Sequence, residues 1–402
     1  MKIGILRETK NPPDKRVPLT PEQCKSITEK HPGLEIQIQA SEYRCYSDKE
    51  YASAGIKLEE QLDTCDLLLG VKEVNIPDLI PGKTYLFFSH TAKKQPYNRG
   101  LLQVIMEKGI TLIDYEYLTR QDGTRVVAFG RWAGIVGAYN GLKAYGMRQG
   151  LFELPPANDL HGLPEMKDRL KEIKLDTPRI ILTGGGRVAS GAMEILKASG
   201  IKEISPVEYL SGKNEDCAVF CRLDPWHYTR HIHNLDFKFA YFVEHPEEYE
   251  NTFLPYAEMA DIYIACHFWD PRAPVLLGRD DLKQFSKHLK VIADISCDIN
   301  GPIASTIRAS SIAEPLYGYD PETGTEIQDP FEDKSITVMA VDNLPGELPR
   351  DASEDFGNAL IEHVIPAFQE NDENGVIERA TIVRKGKFTE EFRYLQDFVE
   401  GE

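Results

Sequence analysis

The chain has 402 residues, 42% of them hydrophobic and 27% charged, with a net charge of −18. That length exceeds one ordinary domain and makes two the natural expectation, while the acidic balance argues against nucleic acid or an anionic membrane as a partner. No apolar run is long enough to span a bilayer, and Met1-Lys-Ile-Gly-Ile-Leu6 starts directly as a strand with no signal or transit peptide ahead of it, so a cytoplasmic protein is expected.

The first part of the chain alternates strand and helix signals. Lys2–Leu6 reads as a strand, and Pro21 opens a helix that runs through Ile27. Leu34–Gln39 alternates as a half-buried strand does. Asp66–Val71 and Thr84–Phe88 are short apolar runs of the kind a buried parallel sheet uses. Leu101–Lys108 reads as a helix and Thr111–Asp114 as the next strand. Repeated β-α-β implies a parallel sheet with right-handed crossovers.

A long helix is expected from Trp132 to about Gly150, followed by a polar, proline-bearing stretch at 154–164. Then comes Arg179-Ile-Ile-Leu-Thr-Gly-Gly-Gly-Arg-Val-Ala-Ser-Gly-Ala192, which reads as strand, glycine turn and helix start. Gly184-x-Gly186, with Gly191 beyond, is a variant of G-x-G-x-x-G. Such a turn suits a pyrophosphate, because the missing side chains allow close approach and the helix N–H groups attract the anion. By itself it also suits a tight turn that binds nothing. The preceding apolar strand and the glycine-closed helix 192–200 favour the nucleotide reading. The expected cofactor contacts are Gly184, Gly185, Gly186, Arg187 and Val188. Later strands are expected at 262–266, 290–295 and 336–341, and an amphipathic helix at about 352–369 precedes a charged tail. The aromatic and charged stretch at about 211–258 breaks the rhythm and reads as an insertion.

The fold class expected is therefore α/β, with two Rossmann-like, doubly wound parallel-sheet domains and a cleft between them. Ligands in such sheets sit at the carboxyl ends of the strands. Lys72 ends one such run with Glu73 next to it, and His90 ends another. A lysine with a lowered pKa and a histidine both serve as acid–base groups, although a lysine after a strand is usually solvated and a histidine is often only hydrogen-bonded. Lys10, Arg16, Arg125 and Arg131 are candidates for gripping substrate carboxylates, or for surface salt bridges. Glu116 either tunes a neighbouring base or caps a turn. The seven cysteines form no secreted-type framework. Cys217-x3-Cys221 followed by His227, His231 and His233 has zinc-like spacing in part, but its surroundings look like packing, and no metal is expected.

At this point the motifs match a family. Arg7-Glu-Thr-Lys10 with Asp14-Lys-Arg-Val-Pro-Leu-Thr20 resembles the opening of the alanine dehydrogenase and transhydrogenase superfamily. Gly70-Val-Lys-Glu73, Phe87-Phe-Ser-His-Thr91, Leu112-Ile-Asp-Tyr-Glu116, Arg125-Val-Val-Ala-Phe-Gly130, Trp132-Ala-Gly134 and Asp342-Asn-Leu-Pro345 resemble lysine-forming saccharopine dehydrogenases. They match best the lysine-ketoglutarate reductase portion of the bifunctional aminoadipic semialdehyde synthases, over nearly the whole chain. The resemblance implies that saccharopine is interconverted with lysine and 2-oxoglutarate through an imine reduced by NAD or NADP. It implies Lys72 and His90 as the acid–base pair, tuned by Glu73 and Glu116. It places Lys10, Arg16 and Arg125 near substrate and Asp342 on the cofactor side. It also implies that the chain returns to the first lobe near Pro349. The domains expected are 1–130 plus 349–402, and 131–348 with the insertion, which would shape the substrate pocket.

Two departures matter. A length of 402 residues leaves no room for the second catalytic domain of the bifunctional relatives, so only the saccharopine-forming or saccharopine-cleaving step is expected. NAD selection usually uses an acidic residue ending the second Rossmann strand. That region reads here as Glu203-Ile-Ser-Pro-Val-Glu-Tyr209, where Ser205 would accept a 2′-phosphate and Glu208 would favour NAD. The choice of cofactor stays open at this level, as do the direction of reaction and monomer against homodimer. The alternatives are an alanine dehydrogenase joining ammonia to pyruvate and a non-catalytic NAD(P)-binding sensor.

Overall fold

The structure, a computed structural model, describes residues 1–11, 13–212 and 216–401. Residues 213–215 of the expected insertion lie outside the described residues. The chain forms two compact units, one of residues 1–129 and 349–402 and one of residues 130–348.

The first unit is built on an eight-stranded sheet. Its order is Lys387–Phe388, Thr381–Arg384, Thr111–Asp114, Thr84–Phe87, Leu67–Leu69, Lys2–Ile5, Glu35–Gln39, Lys57–Glu59. The six strands from Thr111–Asp114 to Lys57–Glu59 pair in parallel. Leu67, Leu68 and Leu69 are all buried, as are Tyr85, Leu86 and Phe87. These short strands carry no solvent-facing alternation because both of their faces are buried. The helix Pro21–Lys30 starts at a capping box between Thr20 and Gln23, with proline at its first position.

The last 54 residues of this unit tie back onto its beginning. Gln23 Nε2 donates to Glu354 O at 2.8 Å and to Asn358 Oδ1 at 2.9 Å, and Val17 N donates to Ser353 Oγ at 2.9 Å. Two expectations need correction here. The helix at 352–369 is not continuous: Pro349–Ala359 passes through a wide π-type turn, Leu360–Val364, before Ile365–Gln369. Pro366 has no N–H to offer the preceding turn, and the ladder is rearranged around it. The charged tail also carries structure. Thr381–Arg384 pairs antiparallel with Thr111–Asp114 and forms a hairpin with Lys387–Phe388, and Ile382, Val383, Phe392, Leu395 and Phe398 are buried. Its apolar residues are few and scattered among charges, and they act only once docked.

The second unit has its own eight-stranded sheet. The order is Thr325–Ile327, Leu316–Asp320, Ile336–Met339, Val291–Asp294, Ile262–Ala265, Arg179–Thr183, Val219–Leu223, Lys202–Glu203. Leu316–Asp320 runs antiparallel to both its neighbours and the other pairs are parallel. The expected insertion is corrected by this order. Val219–Leu223 is an inner strand of the sheet, between Arg179–Thr183 and Lys202–Glu203, so the excursion starts only at about residue 224. It contains a separate antiparallel pair, Thr229–His231 with Tyr249–Asn251, and the short helix Phe239–Glu244.

Two glycines bring the long helix Gly130–Gln149 against the helix Arg187–Ala198. A Cβ on Gly134 would lie 1.8 Å from Val188 O, and one on Gly191 would lie 2.0 Å from Arg131 O. Both obstacles are backbone and cannot swing aside. The third glycine of the fingerprint thus serves close packing of the helix that opens at the turn. Among the described residues no helix is long and apolar enough to cross a membrane. Gly191→Ala is expected to cost on the order of 3 kcal/mol through overpacking, read as a lower denaturant midpoint of the second unit. An unchanged midpoint would contradict this packing.

Candidate functional site

In the first unit, the carboxyl ends of three adjacent parallel strands carry the predicted acid–base groups. Leu67–Leu69 leads to Lys72 and Glu73, Thr84–Phe87 to His90, and Thr111–Asp114 to Glu116. Asp114 binds the last two ends together. Its Oδ2 accepts from Ser89 N at 2.9 Å and Ser89 Oγ at 2.5 Å, and its Oδ1 accepts from Glu116 N at 2.8 Å. His90 has left-handed backbone geometry, with φ 52°, so the chain turns sharply there and the ring stacks on Phe88.

Glu73 joins the groups together. His90 Nδ1 lies 2.7 Å from Glu73 Oε1, and Lys10 Nζ donates to Glu73 Oε2 at 3.0 Å. Burial acts to raise the Glu73 carboxyl, but the His90 hydrogen bond and charge, with help from Lys10, bring it down to about 2. That partner fixes which His90 nitrogen points away from the carboxylate. Burial lowers the Lys72 ammonium below the ordinary lysine range. Arg16 and Lys10 push it further down, against the opposing pull of Asp14 and Glu73. Among the described residues Lys72 Nζ makes no ion pair within hydrogen-bonding range.

The predicted carboxylate grips are already engaged. Arg16 is buried and forks onto Asp14, with Nε–Oδ1 at 2.9 Å and Nη2–Oδ2 at 2.6 Å, and its guanidinium lies 4.2 Å from the Phe129 ring centre. Burial alone would raise the Asp14 carboxyl, yet Arg16 holds it well below the usual carboxylate range. Of the two readings open for Arg16, a carboxylate grip or a salt bridge, the structure shows the salt bridge, in buried form. Arg125 Nη2 donates to Glu116 Oε1 at 2.7 Å, and Lys93 Nζ stands 3.4 Å from Glu116 Oε2. Arg131 belongs to the second unit, where it forks onto Glu194. Sequence reasoning missed Asp14, Lys93 and Glu8 as members of this group. Glu8 Oε1 accepts from Val71 N at 2.7 Å and Oε2 from Lys72 N at 2.9 Å.

The glycine turn of the second unit fits a dinucleotide. Gly184 has φ 108°, and a Cβ there would lie 2.6 Å from Cys266 O on the neighbouring strand. A Cβ on Gly185 would lie 2.5 Å from Asp224 Oδ1, while Gly186 faces open space. The helix Arg187–Ala198 starts directly after it, and Val188 is in its first turn. A cavity of about 510 Å³ opens beside Gly185 and Gly186, bordered by Arg222, Lys197 and Glu203. Asp342 is exposed just past the strand Ile336–Met339.

Ser205 and Glu208 are corrected. They form the capping box of the short helix Pro206–Leu210, with Ser205 N and Oγ both donating to Glu208 Oε2 at 2.8 and 2.7 Å. The strand adjoining Arg179–Thr183 is Val219–Leu223, and the residues at its end are Arg222 and Asp224. Arg222 forks onto Asp224 at 3.0 and 2.9 Å. An apolar run ending in Arg-Leu-Asp-Pro was the available signal, hidden by reading 211–258 as an insertion. Of the zinc-spaced residues, His227 Nδ1 accepts from Asp224 N, His231 pairs with Glu248, and Cys221 is buried while Cys217 is exposed.

Two α/β units, one with clustered acid–base groups at a sheet edge and one with a glycine turn opening a helix, define a two-domain nucleotide-fold protein. The chain belongs to the alanine dehydrogenase/PNT family, whose N-terminal domain matches residues 4–136 and whose C-terminal domain matches residues 233–395. It is 30% identical over 450 residues to the mitochondrial alpha-aminoadipic semialdehyde synthase of Bos taurus, covering 99% of this chain and 48% of that protein. It is 26% identical over 380 residues to the saccharopine dehydrogenase [NAD(+), L-lysine-forming] of Emericella nidulans, covering 90% of each. The chain spans about half the length of the synthases it matches. A solved L-alanine dehydrogenase shares the fold, with a TM-score of 0.66 at 17% identity over 100% of this chain and 99% of that one. A transhydrogenase from Sinorhizobium meliloti gives a TM-score of 0.62 at 15% identity over 97% and 100%.

Because Glu73 is held at about 2 against an ordinary 4.5, its contribution to stability is present above pH 4.5 and is lost as pH falls towards 2. Glu73→Gln removes that titration. Its denaturant midpoint is expected to fall less steeply than wild type between about pH 5 and pH 3. Equal slopes would contradict the His90–Glu73–Lys10 linkage.

Proposed function

We propose that this chain is an NAD(H)-dependent oxidoreductase acting on a C–N bond, interconverting saccharopine with lysine and 2-oxoglutarate. The observation that carries the reading is Lys72, an enclosed lysine with a lowered pKa, beside the Glu73–His90 pair. Two proton carriers of different basicity suit this reaction. The lysine ε-amine adds to the ketone carbon of 2-oxoglutarate, and the oxygen must gain a proton while the nitrogen loses one. Water then leaves to give the C=N bond, which again needs a proton on oxygen. We assign these transfers to Lys72 and His90, with Glu73 orienting His90. Gly184–Gly186 and the helix start after them would hold the pyrophosphate of NADH, and the cofactor would supply the hydride that reduces the C=N bond to the secondary amine.

Two further features support the substrate class. 2-Oxoglutarate brings two carboxylates, and Arg125 and Lys93 stand at the same edge, both paired with Glu116. A substrate carboxylate competes with Glu116 for Arg125, and bidentate arginine is the side chain suited to that exchange. Two fungal relatives named as saccharopine dehydrogenases match this chain across nine-tenths of their own length.

For the cofactor, we assign Gly184–Gly186, Arg187 and Val188 to the pyrophosphate, Asp342 to the cofactor side, and Asp224 to the ribose hydroxyls. An acidic residue at that strand end favours NAD(H) over NADP(H).

Turnover is tested by following NADH absorbance with lysine plus 2-oxoglutarate against ammonia plus pyruvate. Oxidation with the first pair and not the second is expected. Turnover only with ammonia and pyruvate would make the chain an alanine dehydrogenase, and none with any amine and keto acid would support a binding protein. Lys72→Met is expected to lower kcat on the order of 100-fold or more with NADH affinity kept, and near-normal turnover would remove Lys72 from the mechanism. Asp224→Ala is expected to weaken NADH binding about tenfold and to strengthen NADPH binding by releasing Arg222. Fluorescence titration reads both constants, and an unchanged ratio would move the ribose reader elsewhere.

A further inference from the structure

Glu8 is an acidic residue that the reaction as derived above does not use. It is half-buried as a residue, and its carboxyl end is enclosed. It lies after the strand Lys2–Ile5, yet both its oxygens are spent on another segment, the backbone N–H groups of Val71 and Lys72, at 2.7 and 2.9 Å. These amides follow the strand Leu67–Leu69, where the ladder to its neighbours is ending. Leu69 O still accepts from Leu6 N, and Val71 O accepts from Phe88 N. The N–H groups of residues 71 and 72 lie past the end of the strand and donate to Glu8. Without Glu8 they would be enclosed donors lacking an acceptor, a costly arrangement that the segment would relieve by turning.

We propose that Glu8 is a positioning residue for Lys72: a two-oxygen clamp on the backbone of Val71 and Lys72 that fixes the direction in which the Lys72 side chain leaves the sheet. This rests on the reading of Lys72 as a proton carrier. Lys72 has four methylenes between backbone and ammonium, so a small rotation of the 71–72 peptide sweeps Nζ through a large arc. A two-point clamp on that peptide removes the rotation. A single hydrogen bond would act as a pivot and leave it.

The clamp also responds to pH. As a carboxylate, Glu8 offers two acceptors to two donors, and as a neutral acid one oxygen becomes an O–H donor itself. Burial pushes its carboxyl up to about 7, opposed by the two amides. The charged and titratable groups facing it are Asp14 and Arg16 from the loop after the first strand, and Tyr115, whose hydroxyl is buried at the end of the strand Thr111–Asp114. The clamp is therefore fully closed above neutral pH and weakened below it.

Glu8→Gln keeps the shape but turns an N–H group of the amide towards one of the two backbone donors. Hydrogen exchange at residues 71 and 72, corrected for intrinsic rates, is the direct readout. In the wild-type chain protection is expected to rise as pH passes up through neutrality. In Glu8→Gln it is expected to be about tenfold lower above neutral pH and flat with pH. In the proposed reaction, kcat is expected to fall about tenfold or more in Glu8→Gln, with KM and the NADH dissociation constant within about twofold. Glu8→Asp, which keeps two acceptors on a shorter stem, is expected to restore part of the protection and part of kcat. Protection and kcat both unchanged in Glu8→Gln would overturn the proposal, as would lost protection with unchanged kcat. Lys72→Met run alongside separates the two claims. Normal turnover there sinks the reading of Lys72 and this inference with it, whereas normal turnover in Glu8→Gln alone sinks only the inference.

Discussion

The first unit is organised around one electrostatic constraint, a lysine ammonium enclosed at the edge of a parallel sheet. An enclosed ammonium costs free energy unless charges of opposite sign stand near it. Here Asp14 and Glu73 pull it towards the charged form, while desolvation, Arg16 and Lys10 push it towards the neutral amine. The opposing groups are themselves tied down, Asp14 by the Arg16 fork and Glu73 by His90 and Lys10. Lys72 thus lies among charges that are each held in place by a partner of their own. Glu8 works on the same lysine through the backbone rather than through charge.

The second unit answers a steric constraint instead. The glycine turn leaves space open over Gly186, and its helix packs tightly enough to keep that turn in place. Gly184 and Gly185 have close neighbours at Cys266 and Asp224, so the turn has one shape. Gly134 and Gly191 press the opening helix against the long helix Gly130–Gln149 at backbone distance. Arg222 and Asp224, forked together at the end of the adjacent strand, then sit beside Gly185. Their mutual pairing keeps a carboxylate ordered where ribose hydroxyls would be read.

Much of the framework was legible in the sequence. Leu67–Leu69 and Thr84–Phe87 are continuous apolar runs, and a run buried on both faces announces where it ends by its first charged or polar residue. That is how Lys72 and His90 could be set at one sheet edge before any distance was known. The second Rossmann strand was misplaced for a related reason. Lys202–Glu203 is only two residues long and exposed, so it has no pattern to read. Ser205-Pro-Val-Glu208 is in fact a helix start of the capping-box type, with proline at the first helical position, a pattern readable as a cap before it is read as a ribose contact. The pairings of Arg16 with Asp14 and of Arg125 with Glu116 were not legible as such. A charge two residues away and one nine residues away look alike until the loops fold. Glu8 was hidden for the same reason, since its partners lie more than sixty positions along the chain.

The account depends most on the protonation of Lys72, and that is measurable without turnover. Competitive amine labelling of the intact chain across a pH series, read by mass spectrometry at Lys72 and at exposed lysines such as Lys171, gives its pKa directly. The account predicts a value below the ordinary 10.5, with Lys171 as the internal reference. A value at or above 10.5 for Lys72 would contradict the enclosed, cation-crowded lysine from which the proposed chemistry is argued.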